Sequence, residues 1–198
     1  MRGRFIALEG GEGSGKSTQT KLLAAALDAV ATFEPGDTVL GAAIRAVLLD
    51  PATSGLDDRA EALLMAADRA QHVAQVIRPA LEQGRHVVCD RYFASSIAYQ
   101  GYGRGLPPDR IAALSMWATA DLVPDLTVLI DVPEDIAASR VSATPDRFEG
   151  AGRDFHRRVL DGFHALAADP TWIVVDGNGT VEDVAVAVRA AVRDRLAL

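Results

Sequence analysis

The chain has 198 residues, enough to bury the core of one domain, and it is 49% hydrophobic and 24% charged, as globular proteins are. A formal net charge of −7 with no basic run or tail argues against a nucleic-acid polymer as partner, because phosphate backbones are held by clustered Lys and Arg. The single cysteine, Cys89, excludes an intrachain disulfide and fits a reducing compartment. The N-terminus runs straight into a strand and no run of about 18 apolar residues occurs, so a cytoplasmic protein with no membrane partner is expected.

Taken in chain order, apolar runs alternate with helical periods. Arg4–Glu9 reads as a buried strand, and Leu22, Leu23, Ala26, Leu27 and Val30 set the period of a helix from about Lys16. A short extended piece near Ala31–Glu34 ends at the turn signal Pro35-Gly36. Helices are predicted over about 39–49 and 59–83, with Pro79 bending the second. His86–Asp90 is a strand, and two helices near 94–100 and 108–120 are predicted to be separated by the glycine-rich Gly101–Gly105. Leu126–Asp131 is a strand, followed by a helix from Glu134 and a polar, glycine-containing loop over Thr144–Gly152. A helix near 154–168, the strand Trp172–Asp176 and a helix from about Val181 close the chain. Near-continuous apolar strands alternating with helices predict a single α/β domain over residues 1–198, a five-stranded parallel sheet with helices on both faces. The four histidines, His72, His86, His156 and His164, have no metal-ligand spacing.

The strongest chemical signal is Gly10-Gly11-Glu12-Gly13-Ser14-Gly15-Lys16-Ser17, with Thr18 next to it, placed between a predicted strand and a predicted helix. It matches G-x-x-x-x-G-K-[ST], in which glycines let backbone N–H groups wrap a phosphate chain and the helix adds its positive end. Lys16 reaches the β- and γ-phosphates of ATP, and the Ser17 hydroxyl is placed to hold Mg²⁺. A GTPase would need a guanine-reading Asn-Lys-x-Asp, but Lys16 and Lys21 are the only lysines. A small-molecule kinase needs a second anion site and a cover that excludes water. Asp90-Arg91-Tyr92 lies just past a strand end, where open α/β folds bind ligands, and Arg140, Arg147 and Arg153 lie in or beside the polar loop.

These residues resemble bacterial thymidylate kinase along nearly the whole chain. The resemblance is carried by Phe5–Thr18, Glu34-Pro35-Gly36, Ile44–Leu49, Ala66–His72, Asp90-Arg91-Tyr92, Ser95-Ser96, Ala98–Gly101, Pro124–Thr127, Asp131–Glu134 and Asp146–Glu149. It implies the P-loop nucleoside monophosphate kinase fold with a lid at about 141–153, phosphorylation of dTMP by Mg·ATP, and a homodimer formed through helices that include residues 59–83. It further implies that Arg69 contacts the thymine edge, that Arg91, with help from Arg45, holds the dTMP phosphate, and that Ser96 lies at the base edge. Tyr99 would sit beside the sugar, where bulk rejects a 2′-hydroxyl, and Glu12 near the 3′-hydroxyl. Met65 and Gln100 fall among the substrate-binding positions, and adenine is expected near Asp176-Gly177-Asn178. Because no residue between the fixed P-loop glycines is basic, the charge on the migrating phosphoryl must be met elsewhere. This places the chain in the subtype with a lid arginine, with Arg147 ahead of Arg140 and Arg153, Lys16 and Arg91 as the other neutralising groups, and Asp90 orienting metal-bound water or Arg91. The chain departs from the family pattern at Met65, where phenylalanine is usual, at Phe33 in place of arginine, at Asp37 in place of glycine, and in the weakly basic Val141–Pro145. A kinase for another monophosphate or a deoxynucleoside, and a nucleotide-binding protein without catalysis, are the competing readings.

Overall fold

The structure, a computed structural model, describes residues 2–53, 55–140 and 145–198. Strand β1 (Phe5–Glu9) leads into α1 (Lys16–Leu27), and β2 (Val30–Phe33) leads into α2 (Val39–Leu49). Helix α3 (Asp58–His72) continues through a π-helical turn, Val73–Ile77, into α4 (Arg78–Glu82). Strand β3 (Val87–Asp90) is followed by α5 (Phe93–Ser96), which continues as a π-helical segment, Ile97–Gly103. After α6 (Pro108–Thr119) come β4 (Leu126–Asp131), α7 (Glu134–Ser139), the 3₁₀ turn Glu149–Ala151, α8 (Arg153–Leu166), β5 (Trp172–Asp176) and α9 (Val181–Leu196).

The five strands form one sheet in the order β2-β3-β1-β4-β5, and the paired registers are all parallel. Alternate residues of β1 explain why both faces need cover. Ile6 and Leu8 pack with Leu23 of α1 and with Val184 and Val188 of α9, whereas Phe5 and Ala7 pack with Val73, Ile77 and Leu81 of the long helical run. Each of the larger side chains among these, fully buried, contributes roughly 1.5–3 kcal/mol. In register, Leu8 pairs with Asp90 and Glu9 with Leu129, so β1 and β3 end together and deliver Glu9, the glycine run and Asp90-Arg91 to one rim.

Two predicted details differ. The helix expected over 59–83 is interrupted by a π-helical turn, Val73–Ile77, just ahead of Pro79. Proline has no N–H to donate and its ring crowds the carbonyl four residues back, and a widened turn absorbs both. The break between the two helices is shorter than expected, because the helical path runs through Gly103 and only Arg104–Pro107, with Gly105 at φ 77°, separates it from α6. A Cβ on Gly103 would lie 2.7 Å from the Phe155 ring and 2.9 Å from Val159, so glycine here permits α8 to pack against this segment.

Candidate active site at the sheet rim

Unlike α2, α3 and α9, which Thr38, Asp57 and Thr180 cap, and like the shorter or later helices α4 to α8, helix α1, with Gly15 at its N-cap, has no side-chain cap. Its first N–H groups are therefore left for an anion. Gly13 (φ 71°) and Gly15 (φ 90°) take left-handed conformations, and a Cβ on Gly13 would lie 2.3 Å from the Ala137 carbonyl oxygen. Lys16 Nζ folds back over the loop, donating to the Gly11 carbonyl at 2.6 Å and to Ser14 Oγ at 3.1 Å. Burial, followed by the nearby Arg91 charge, lowers the Lys16 ammonium to about 8. Ser17 Oγ donates to Asp90 Oδ2, and Asp90 Oδ1 is buried without a partner.

The second half of the site is built from side chains. Arg91 has φ 67° and points its guanidinium back toward the glycine run, donating to Glu12 Oε1 at 2.7 Å, the Gly10 carbonyl at 3.1 Å and Ser95 Oγ at 3.3 Å. Tyr99 donates to the same Glu12 oxygen at 2.7 Å, and its ring lies 5.0 Å from the Arg91 guanidinium. Burial alone would raise the Glu12 carboxyl, but Arg91 and then Lys16 outweigh it and hold the group near 2. Glu12 is thus an anion already seated on Arg91. Arg69, 2% exposed, spends its guanidinium on Glu34 Oε2 (2.7 Å), Ser96 Oγ (3.0 Å) and the Tyr92 carbonyl (3.2 Å). Glu34 Oε1 lies 2.9 Å from His72 Nδ1, and His72 Nε2 lies 2.5 Å from Thr32 Oγ1, which also bonds Asp37. Arg45 donates to the Pro35 carbonyl at 2.7 Å and lies 5.7 Å over Phe33, so its side chain covers the ring that stands where arginine was expected.

A cavity of about 100 Å³ is bounded by Met65, Arg69, Ser96, Tyr99, Gln100 and Phe148. A second, of about 630 Å³, runs along the glycine loop past Lys16, Ser17 and Asp90. Glu12, Glu34, Arg45 and Arg91 line both. Arg69 and Arg91 therefore face the cavities, as a two-pocket kinase requires. A further cavity holds Gly13, Thr18, Gln19, Arg140 and Gly177, the neighbourhood where adenine was expected, with Arg140 donating to the Gly177 carbonyl at 3.4 Å.

The arginine ranked first in the lid behaves differently. Arg147 bonds Glu61 Oε2 at 2.6 Å and the Leu48 carbonyl at 2.8 Å, while its own N–H meets the Leu49 carbonyl at 3.1 Å. It borders neither P-loop cavity. Arg153, which pairs loosely with Glu134 at 3.3 Å, lines a cavity together with Gly11, Glu12 and Ser14. Of the expected lid, residues 141–144 lie outside the described residues.

Three buried acids were not assigned roles from the sequence. Glu9 accepts from the Tyr92 N–H at 2.9 Å and Ser95 Oγ at 2.6 Å, tying β1 to the turn that carries Arg91, and burial raises its carboxyl to about 7. Glu34 was visible only as part of Glu-Pro-Gly. Glu61, on the first turn of α3, is fully buried.

An uncapped helix start wrapped by glycines, facing a pocket of inward arginines across a parallel sheet rim, defines a P-loop kinase of the nucleoside monophosphate type. The sequence model of the thymidylate kinase family matches residues 8–188. Thymidylate kinases from Bifidobacterium longum subsp. infantis and Cutibacterium acnes are 48% and 45% identical, over 99% and 97% of this chain and 88% and 97% of theirs. The crystal structure of thymidylate kinase from Ehrlichia chaffeensis superposes with a TM-score of 0.81 at 33% identity, covering 97% of this chain and all of that one. The chain belongs to the thymidylate kinase family.

Proposed function

We propose that this protein transfers the γ-phosphoryl of ATP directly to a phosphate oxygen of dTMP, giving dTDP and ADP. The observation that carries the reading is Arg91, which belongs to the wall of both cavities and so reaches an acceptor phosphate from one and a transferring phosphoryl from the other. The acceptor base is read by its edge. Arg69 and Ser96 present hydroxyl and guanidinium groups suited to a thymine carbonyl, and Gln100 leaves Oε1 without a partner, suited to the ring N3–H. Met65 packs on the ring face as a thioether. Tyr99, held by Glu12, closes the space beside the sugar.

Transfer needs positioning and charge neutralisation with no covalent intermediate on the enzyme. Lys16 and Arg91 supply two positive charges. Because Arg147 is committed to Glu61 and Leu48, we assign the lid contribution to Arg153, which borders the same cavity as Gly11 and Ser14. Ser17 and Asp90, whose buried Oδ1 has no partner, suit a Mg²⁺ ion that keeps most of its waters; when bound, that ion neutralises phosphate charge. Glu12 releases Arg91 to the incoming phosphate and turns to the acceptor sugar hydroxyl.

The whole chain acts as one domain, with residues 141–153 as its lid. Leu63 on α3 and Trp117 on α6 are 58% and 82% exposed, on helices that pack together, and these exposed apolar side chains support a homodimer. Among the described residues no helix is long and apolar enough to cross a membrane; with the one cysteine buried and unpaired, a cytoplasmic location fits. Comparing dTMP, dUMP, dCMP, dGMP and AMP as acceptors in an ADP-release assay tests the reading. The highest kcat/KM belongs to dTMP, and a better acceptor among the others would displace it.

A further inference from the structure

Gln100 reads a base only if its amide is fixed the right way round, because the same side chain flipped presents donors in place of an acceptor. We infer that the buried Glu61 sets that orientation and is a positioning residue for base specificity. Both Glu61 oxygens are surrounded by donors. Oε1 accepts from Gln100 Nε2 at 2.8 Å and Arg104 Nε at 3.2 Å, and Oε2 accepts from an Arg104 guanidinium nitrogen at 3.0 Å and forms an ion pair with Arg147 at 2.6 Å. With two arginines as partners Glu61 is a carboxylate, which accepts only. A flipped Gln100 would set its oxygen against this carboxylate inside a fully buried site, as both residues are 0% exposed. The amide therefore donates toward Glu61, and its oxygen, which has no partner, is the atom left for a ligand.

The consequence is chemical selection, and it rests on the base-reading role given to Gln100 above. Thymine and uracil carry N3–H, a donor that meets the Gln100 oxygen. Cytosine carries a lone pair at N3, which the same oxygen repels. Arg69 adds a second discrimination at the neighbouring ring position, so loss of the Glu61 constraint weakens selection without inverting it. Glu61 also receives Arg147, so the segment carrying that arginine is anchored to the residue that orients the base reader.

The test is the ratio of kcat/KM for dTMP to that for dCMP. In Glu61→Gln the new amide donates to Gln100, which is then free to flip. The ratio falls at least about tenfold, mainly through a higher KM for dTMP, the scale of losing one hydrogen-bond discrimination. Adding Gln100→Glu to that variant restores an acceptor-only group beside a donating neighbour, and the ratio recovers. Should Glu61→Gln fail to fold, Glu61→Asp keeps a counter-charge for Arg104 and Arg147 while drawing back from Gln100, and its ratio falls at least about threefold. An unchanged ratio in the folded variant overturns the inference. Gln100→Leu separates the two levels. If it collapses the ratio while the Glu61 variants do not, base reading stands and only the positioning role is lost; if it too leaves the ratio unchanged, the role of Gln100 itself is wrong.

Discussion

The donor cradle and the acceptor pocket meet at Arg91 but are built from different materials. The cradle is one contiguous run of eight residues from Gly10 to Ser17, and it offers main-chain amides, a helix end and one lysine. The acceptor pocket draws single side chains from the end of β2, from α2, α3 and α5, and from the π-helical segment, and it fixes them with the buried acids Glu9, Glu34 and Glu61. A phosphate chain is recognised by charge and shape, which a short run of backbone amides, a helix end and a lysine supply. A nucleobase is recognised by the direction of each donor and acceptor, and directing side chains requires buried partners for every one of them.

This contrast makes opposite predictions for substitution in the two halves. On the acceptor side Glu34→Ala strands both Arg69 and His72 in a dry interior, so urea denaturation shows a loss of about 3–5 kcal/mol. On the donor side Lys16→Ala, and at the shared wall Arg91→Ala, lower turnover by at least about 100-fold, the scale of one preorganised charge. Lys16→Ala does so with a much smaller change in unfolding midpoint. If both variants turn over at near-normal rates, the two-pocket account is wrong. If Glu34→Ala is as stable as the parent, the buried-ion account of the acceptor side fails.

Two smaller effects refine the comparison. Lys16 loses its proton near pH 8, well below its ordinary 10.5, because of burial and Arg91. ATP phosphates favour the charged form, so below pH 8 free and bound Lys16 are both protonated, and above it binding must take up a proton. ATP affinity measured by calorimetry accordingly falls roughly three- to tenfold between pH 7 and pH 9. Met65→Phe, which puts a ring back against the thymine face, lowers KM for dTMP by about threefold, within the 0.5–1.5 kcal/mol range of aromatic pairs; unchanged KM would mean that Met65 does not touch the base.

How much of this was legible follows from the same contrast. Gly10–Ser17 is local in sequence and could be read directly, with its strand and helix. Arg91 was placed by its position just past a strand end, Arg69, Ser96 and Tyr99 through family resemblance, and the structure gathers all four around one cavity. Glu61 was invisible because an acidic residue in the first turn of a helix is expected on the surface for helix-dipole reasons. Only the packing of α3 against the π-helical segment and Arg147 shows that it is buried. Arg147 itself was ranked by its place in a polar loop, and no sequence signal marks a partner 86 residues away on α3. The run from Gly101 reads locally as a turn, whereas Gly103 is small so that Phe155 can approach.

The central claim is that two anion pockets hold their nucleotides end to end across the sheet rim. A single molecule in which adenosine and thymidine are joined through their 5′ positions by five phosphates tests it by calorimetry. It should bind one per chain at least about 100-fold more tightly than ATP or dTMP alone, since linking converts the second binding event into an intramolecular one, and Lys16→Ala and Arg91→Ala should each weaken it. Affinity no better than that of ATP, or unimpeded binding of dTMP beside the analogue, would contradict it.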